Sequence, residues 1–166
     1  VELDPNYGDA RYNFGYVLVR LGQLEAGVRE LAEAVRLEPE NYMAHNNLGV
    51  AHLMRQDYPQ AVASFKQAVG LEPDFSAAHN NLGVALKNQG ELAGAVASLR
   101  EAIRLNPAYA EAWNNLGVAL REQGKLAEAA ESFRRALKII PDYAAARRNL
   151  DEVGGEIEVP KMPKVN

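Results

Sequence analysis

The chain has 166 residues, of which 48% are hydrophobic and 24% are charged. Its net charge of -4 argues against the general basic face that nucleic-acid-binding proteins use. No apolar run approaches the ~20 residues that a membrane-spanning helix needs. We therefore expect neither nucleic acid nor a membrane among its partners. Cysteine is absent, which excludes disulfides, thiolate catalysis and cysteine metal sites.

Three residue types recur at a constant step of 34 residues. They are prolines at Pro5, Pro39, Pro73, Pro107 and Pro141, glycines at Gly15, Gly49, Gly83 and Gly117, and alanines at Ala34, Ala68, Ala102 and Ala136. This regularity predicts a repeat protein, in which each unit buries apolar surface against the next unit.

The segment 112–143 carries the most complete copy of the repeat. Its residues at signature spacing are Trp113, Leu116, Gly117, Leu120, Ala129, Phe133 and Pro141. On these residues the chain resembles the tetratricopeptide repeat (TPR) family. The resemblance implies an all-α fold: a right-handed TPR superhelix (α-solenoid) of antiparallel helix pairs, with a C-terminal capping helix and an extended tail.

The period divides the chain into successive segments. We interpret 1–7 as the end of a truncated preceding repeat, followed by four repeats at 8–41, 42–75, 76–109 and 110–143, a capping helix at 144–153 and an extended tail at 154–166. In the capping helix, Asp151 replaces the repeated glycine, so a second helix is not expected to dock closely there.

Two amphipathic helices are predicted in each repeat. In the fourth repeat the second helix should present Leu126, Ala129, Ala130, Phe133 and Leu137 on one face. The repeated glycines should allow the paired helices to approach closely. The turns between them use Gly22, Gly90 and Gly124 in left-handed conformation, whereas the second repeat has Gln56 there, under strain, with Asp57 as a helix cap and Pro59 in the first turn.

An asparagine ladder is the strongest candidate binding feature. Because first helices line the concave face of a TPR array, these amides are predicted to hold the backbone of an extended peptide. The array of the O-linked N-acetylglucosamine transferase family has a similar ladder. The alternative is a structural role, with the asparagines bonding between repeats. The predicted peptide-binding residues are Asn13, Asn46, Asn47, Asn80, Asn81, Asn114, Asn115, Tyr12, Tyr16, Val50, Leu53, Met54, Val84, Lys87, Val118 and Arg121.

Some TPR domains grip a terminal carboxylate with basic residues at set positions on their first helices. Here Ala77 and Asn81 stand where the third repeat of such a clamp would place its basic pair. The resemblance therefore does not extend to this clamp. Tyr12 and Tyr16, four residues apart, are predicted to anchor apolar side chains or, alternatively, to cover the end of the array or contact the truncated preceding repeat.

Catalysis and metal binding lack a supporting pattern. His45, His52 and His79 are interpreted as packing residues, because no third metal ligand is indicated. Glu30, Glu33, Glu101 and Glu131 are expected on solvated outer faces. No nucleophile–base arrangement or phosphate-binding glycine loop is present. We predict a non-catalytic chain that uses no cofactor.

Two other functions stay open at this point. The chain could self-assemble as a homo-oligomer or filament, through the ends of the array or through docking of residues 156–166 in a neighbouring groove. Alternatively, it could be the substrate-selecting arm of a larger enzyme such as a glycosyltransferase.

Overall fold

The computed structural model describes residues 7–154, which contain nine α-helices and no strand. The helices are α1 (Gly8–Arg20), α2 (Leu24–Leu37), α3 (Tyr42–Met54), α4 (Tyr58–Leu71), α5 (Ser76–Gln89), α6 (Leu92–Leu105), α7 (Ala110–Glu122), α8 (Leu126–Ile139) and α9 (Ala144–Glu152). None of these helices is long and apolar enough to cross a bilayer. The predicted all-α fold is confirmed.

The chain divides after Pro107 into two compact units. Unit 1 contains α1 to α6, paired as α1 with α2, α3 with α4 and α5 with α6. Unit 2 contains the pair α7 and α8, followed by α9. Short connections between paired helices make the partners antiparallel.

Contacts between pairs show which helices form the inner side of unit 1. α3 contacts both α1 and α5, whereas α2 and α4 make no contact with each other in the described part of the chain. Each second helix instead packs on the next first helix, α2 on α3 and α4 on α5. Since the first helices are nearer to one another than the second helices are, α1, α3 and α5 lie on the inner side of the stack.

The repeated glycines lie where the paired helices approach closely, as predicted. A Cβ atom built on Gly49 would lie 2.7 Å from the ring of Phe65, and one on Gly83 would lie 2.5 Å from Leu99 Cγ. The large seam residues around these glycines are buried, namely Leu48, Leu82, Leu116, Phe65, Leu99 and Phe133. Burying these side chains is the main source of stability in such a fold.

The turns between paired helices require a left-handed residue. Gly22, Gly90 and Gly124 have φ of 76°, 89° and 78°, and Gln56 takes the same conformation with φ of 62°. In the Gln56 turn, Gln56 N donates to Leu53 O at 3.0 Å and Asp57 N donates to His52 O at 2.9 Å. The predicted strain at Gln56 is confirmed, because a side chain disfavours this region.

Two local predictions are wrong. Asp57 precedes α4, but its side chain makes no capping hydrogen bond; the carboxylate instead lies 3.5 Å from His52 Nδ1. Leu126 is 50% exposed and does not join the buried face of α8. It occupies the first position of α8, one turn before Ala129, beyond the seam with α7.

The last helix, α9, corresponds to the first helix of a repeat, and no second helix follows it in the described residues. Ala146 and Leu150 are buried against unit 2, whereas Arg147 and Asp151 are exposed. The predicted polar character of this helix is thus present. Residues 1–6 and 155–166, including most of the predicted preceding repeat end and of the tail, lie outside the described residues.

Candidate functional site

The doubled asparagines form two columns with different environments. The first of each pair is buried: Asn46, Asn80 and Asn114 are 8%, 1% and 7% exposed. We call these residues the buried column. Less than a tenth of each side chain is accessible, so these predicted peptide-binding residues are not positioned to contact a ligand. Their placement fits the structural alternative that the sequence left open.

The second asparagine of each pair is half-buried, and Asn47, Asn81 and Asn115 form what we call the open column. In unit 1, Asn81 Nδ2 donates to Asn46 Oδ1 at 3.0 Å, and Asn47 Nδ2 donates to the Tyr12 hydroxyl at 3.1 Å. In unit 2, Asn149 Nδ2 donates to Asn114 Oδ1 at 2.9 Å. Each bond joins one first helix to the preceding one.

These bonds leave part of the hydrogen-bonding capacity of Asn47 unused. An amide has two N–H donors and two acceptor positions. At Asn47, one donor is taken by Tyr12, so a second donor and the carbonyl oxygen are left for a ligand. The ladder therefore links repeats and also presents polar groups on the inner side of unit 1.

An apolar concavity of about 180 Å³ lies beside Asn47. Its lining residues are Tyr16, Val19, Arg20, Asn47, Val50 and Met54. We call it the Tyr16 pocket. Four of its lining residues were predicted from the sequence as peptide-binding residues, and they come from the adjacent first helices α1 and α3. Arg20 was not predicted, although its spacing of four residues from Tyr16 would have placed it on the same helix face.

The two predicted tyrosine anchors have different roles in the structure. Tyr12 is half-buried against the core and accepts the bond from Asn47. Burial raises the pKa of Tyr12, while the bond from Asn47 acts in the opposite direction, so the hydroxyl is neutral at physiological pH. Tyr16 is 41% exposed and accepts a hydrogen bond from Arg20 Nη1 at 3.2 Å.

The other predicted residues divide by exposure and by unit. Asn13 and Met54 are exposed, whereas Val50, Leu53, Val84, Lys87, Val118 and Arg121 are half-buried. Val118 and Arg121 belong to α7 of unit 2, where Arg121 donates to the carboxylate of Glu152 on α9. Arg121 thus already has an anionic partner within its own unit.

Two of the histidines contact backbone carbonyls. His45 Nε2 lies 2.9 Å from Pro39 O, and His79 Nε2 lies 2.9 Å from Pro73 O. Because a carbonyl only accepts, both rings donate from Nε2. Among the described residues, no three potential ligands converge on a metal position.

The glutamates of the second helices pair with arginines. Glu33 bonds Arg36 within α2, and Glu101 bonds Arg104 within α6, in exposed pairs. Glu30 was predicted to be solvated, but only 23% of its side chain is exposed. It accepts a hydrogen bond from Arg11 Nη1 of α1 at 2.7 Å.

A family model described as tetratricopeptide repeat matches residues 12–74, 55–102 and 80–144. The chain belongs to the tetratricopeptide repeat family. This match and the paired helices confirm that the fold is an all-α TPR solenoid. No curated protein matches the sequence.

Solved TPR structures share this fold. MamA from Desulfovibrio magneticus RS-1 is 23% identical over 93% of this chain and 86% of its own, with a TM-score of 0.81. PilF from Pseudomonas aeruginosa is 23% identical over 88% of this chain and 67% of its own, with a TM-score of 0.80. The first TPR of Spaghetti (RPAP3), solved with an HSP90 peptide, is 21% identical over 68% of this chain and 90% of its own, with a TM-score of 0.67. At these identities the similarity shows the fold alone.

Proposed function

We propose that this TPR chain is a non-catalytic protein–protein interaction scaffold that binds an extended peptide segment on the inner side of unit 1. The observation that carries the proposal is the position of Asn47, a half-exposed amide with unused hydrogen-bonding groups beside an apolar concavity. An extended peptide needs both features, because its backbone is polar and its side chains alternate in direction.

In the proposed complex, Asn47 and Asn81 hold the ligand backbone, and the Tyr16 pocket takes one apolar side chain. Val50 and Val84 repeat along the same helix faces and add apolar contact between the amides. The RPAP3 structure, with its HSP90 peptide, gives a precedent for peptide binding by the same fold. Nucleic acid and membranes are not among the partners we propose.

The test is the affinity of selected peptides for the Asn47→Ala variant. Peptides are first selected from a phage-displayed random dodecapeptide library on the full chain, and dissociation constants are then measured by fluorescence anisotropy. Losing one or two backbone hydrogen bonds should weaken binding roughly 3- to 10-fold. Asn47 suits this test, because its removal leaves only the half-exposed Tyr12 hydroxyl without a protein partner.

Gln67→Ala is the matched control, since it removes an exposed amide from α4, a second helix. Its affinity should equal that of the unmodified chain. Equal affinities of all three proteins for the selected peptides would contradict the proposed use of the ladder. Failure to select any peptide would contradict peptide binding itself.

A second candidate function is self-association at the N-terminal end of unit 1. Phe14 and Val17 are 44% and 49% exposed, although their counterparts one repeat later, Leu48 and Ala51, are buried. Such an apolar helix face is suited to a second copy of the chain. Light scattering tests this second function. The unmodified chain should be an oligomer and the Phe14→Ser/Val17→Ser variant a monomer. An unmodified chain that is already monomeric excludes self-association.

A further inference from the structure

The apolar part of the Tyr16 pocket is of a size and chemistry that suit one side chain. Val19, Val50 and Met54 supply its hydrophobic walls, and its volume is about 180 Å³. A methionine wall adapts to branched and unbranched side chains alike. The pocket therefore fits a single leucine-, isoleucine- or methionine-sized group.

A guanidinium group stands at the edge of the same pocket. Arg20 donates from Nη1 to the Tyr16 hydroxyl, and its Cζ lies 6.0 Å from the centroid of the Tyr16 ring. These two contacts hold the guanidinium group in position and use one of its five N–H donors. The remaining donors match the planar, bidentate geometry that a carboxylate prefers.

Among the described residues, no carboxylate forms an ion pair or a hydrogen bond with Arg20. The first helices of unit 1 hold one acidic residue, Asp9, which lies eleven residues from Arg20 on the same helix, about 16 Å away. That distance is roughly twice the Debye length at physiological ionic strength. The acidic residues of α2 already have arginine partners: Glu25 with Arg55, Glu30 with Arg11 and Glu33 with Arg36.

Arg121 in unit 2 shows the opposite situation. It also lies on a first helix, but Glu152 of α9 pairs with it. Among the described residues no acidic side chain pairs with Arg20 in this way. A cation held in position without an internal anion is suited to an anion from a ligand.

We infer that the ligand of the Tyr16 pocket is an extended segment with an aliphatic or methionine side chain within two residues of an internal aspartate or glutamate, a conclusion that rests on the proposed function. The apolar side chain fills the pocket, Asn47 bonds the backbone and Arg20 pairs with the acidic side chain. Tyr16 and Arg20 are one helical turn apart, about 6 Å, close to the spacing of alternate side chains in an extended chain.

The experiment compares peptide selection on three proteins. Random phage-displayed dodecapeptides are selected on the unmodified chain, on Arg20→Glu and on Arg29→Glu. The last is a control with the same change in net charge, placed at an exposed position of α2. We expect the unmodified chain and the control to enrich an acidic residue next to the apolar one, and Arg20→Glu to enrich lysine or arginine there instead.

Affinities then give the size of the effect. For the best acidic peptide, Arg20→Gln should weaken binding by roughly 3- to 10-fold. Replacing the peptide's glutamate by glutamine should weaken it equally, and the two changes together should cost little more than either one. Amidating the peptide's C-terminus should leave affinity unchanged, which distinguishes an internal side chain from a free terminus.

Several results would overturn the inference while leaving peptide binding intact. They are enriched peptides without an acidic preference, an equal shift in the Arg29→Glu selection, and loss of binding on amidation. If no peptide is enriched on the unmodified chain, the proposed function fails, and the ligand chemistry inferred from it fails at the same time.

Discussion

Within unit 1, each first helix has a packed face and an open face, and residues that are adjacent in the sequence can lie on different faces. On α5 the packed face carries Asn80, Leu82 and Gly83, and the open face carries Asn81 and Val84. The packed positions are nearly the same in every repeat, and so is the open asparagine, whereas the open position occupied by Arg20, Met54 and Asn88 changes. The packed face thus determines how the helices stack, and variation at that one open position changes the exposed surface without changing the fold.

The open face varies most between α1 and α3. Tyr16 of α1 corresponds to Val50 of α3, and Arg20 corresponds to Met54. The Tyr16 pocket forms where these unlike residues meet. A regular scaffold can therefore produce one distinctive site.

The largest expected effect comes from filling the packed face. In Gly83→Ala, the new Cβ would lie 2.5 Å from Leu99 Cγ and 3.1 Å from Ala95 O, so α5 and α6 must move apart. We expect a loss of ~1–3 kcal/mol in the free energy of unfolding, measured by urea denaturation.

Gly70→Ala is the matched control, because a Cβ on this α4 glycine would meet nothing within 4 Å. The control should gain ~0.5–1 kcal/mol from helix propensity. If both variants changed stability by the same amount, helix propensity would explain the result, and close approach at Gly83 would not.

The next effect distinguishes the two asparagine columns. Asn80→Ala removes a side chain that is 1% exposed, together with its hydrogen bond to Asn81. Roughly 1–2 kcal/mol of stability should be lost. Asn47→Ala should cost less than about 1 kcal/mol, because its partner Tyr12 is half-buried and water can replace the amide.

Peptide binding should reverse the order of these two variants. Asn47→Ala is expected to weaken binding, whereas Asn80→Ala should bind normally at temperatures where it is folded. Measurements of melting by circular dichroism and of binding by anisotropy, on the same samples, are sufficient. A binding defect in Asn80→Ala larger than that in Asn47→Ala would show that the columns do not divide the two roles.

Much of this architecture could be predicted from the sequence, because the 34-residue period marks positions where the local backbone or packing geometry restricts the residue type. Glycine is favoured in the left-handed turns, as at Gly22 and Gly90, and Gly49 and Gly83 allow close helix approach. Each requirement is met by a few neighbouring residues, so the spacing of those residues is sufficient to identify it.

Side-chain partners could not be predicted in the same way. Asn46 and Asn47 are adjacent and chemically identical, and only the position of the next helix decides that the first is buried. Likewise, Asp57 lies 3.5 Å from His52 instead of capping α4. These choices depend on three-dimensional distances between side chains, which the period does not contain.

The smallest expected effect concerns an exception on the packed face. His52 stands where the neighbouring repeats have Leu18 and Leu86, which are buried. Burial lowers the pKa of His52, and this outweighs the opposite influence of Asp57. The unfolded chain, with a pKa near 6.5 at this residue, therefore takes up the proton at a higher pH than the folded chain.

The stability that depends on neutral His52 is fully present above about pH 6.5 and is lost as the pH falls through the lower pKa of the folded state. Replacing the residue in His52→Leu restores the apolar side chain that the other repeats use. We expect the variant to lose less stability than the unmodified chain between pH 7 and pH 5, in urea titrations at each pH. His45→Leu is the control, because that ring lies outside the seam and bonds Pro39 O. Parallel pH profiles for the unmodified chain and His52→Leu would show that the packed face tolerates a charged ring.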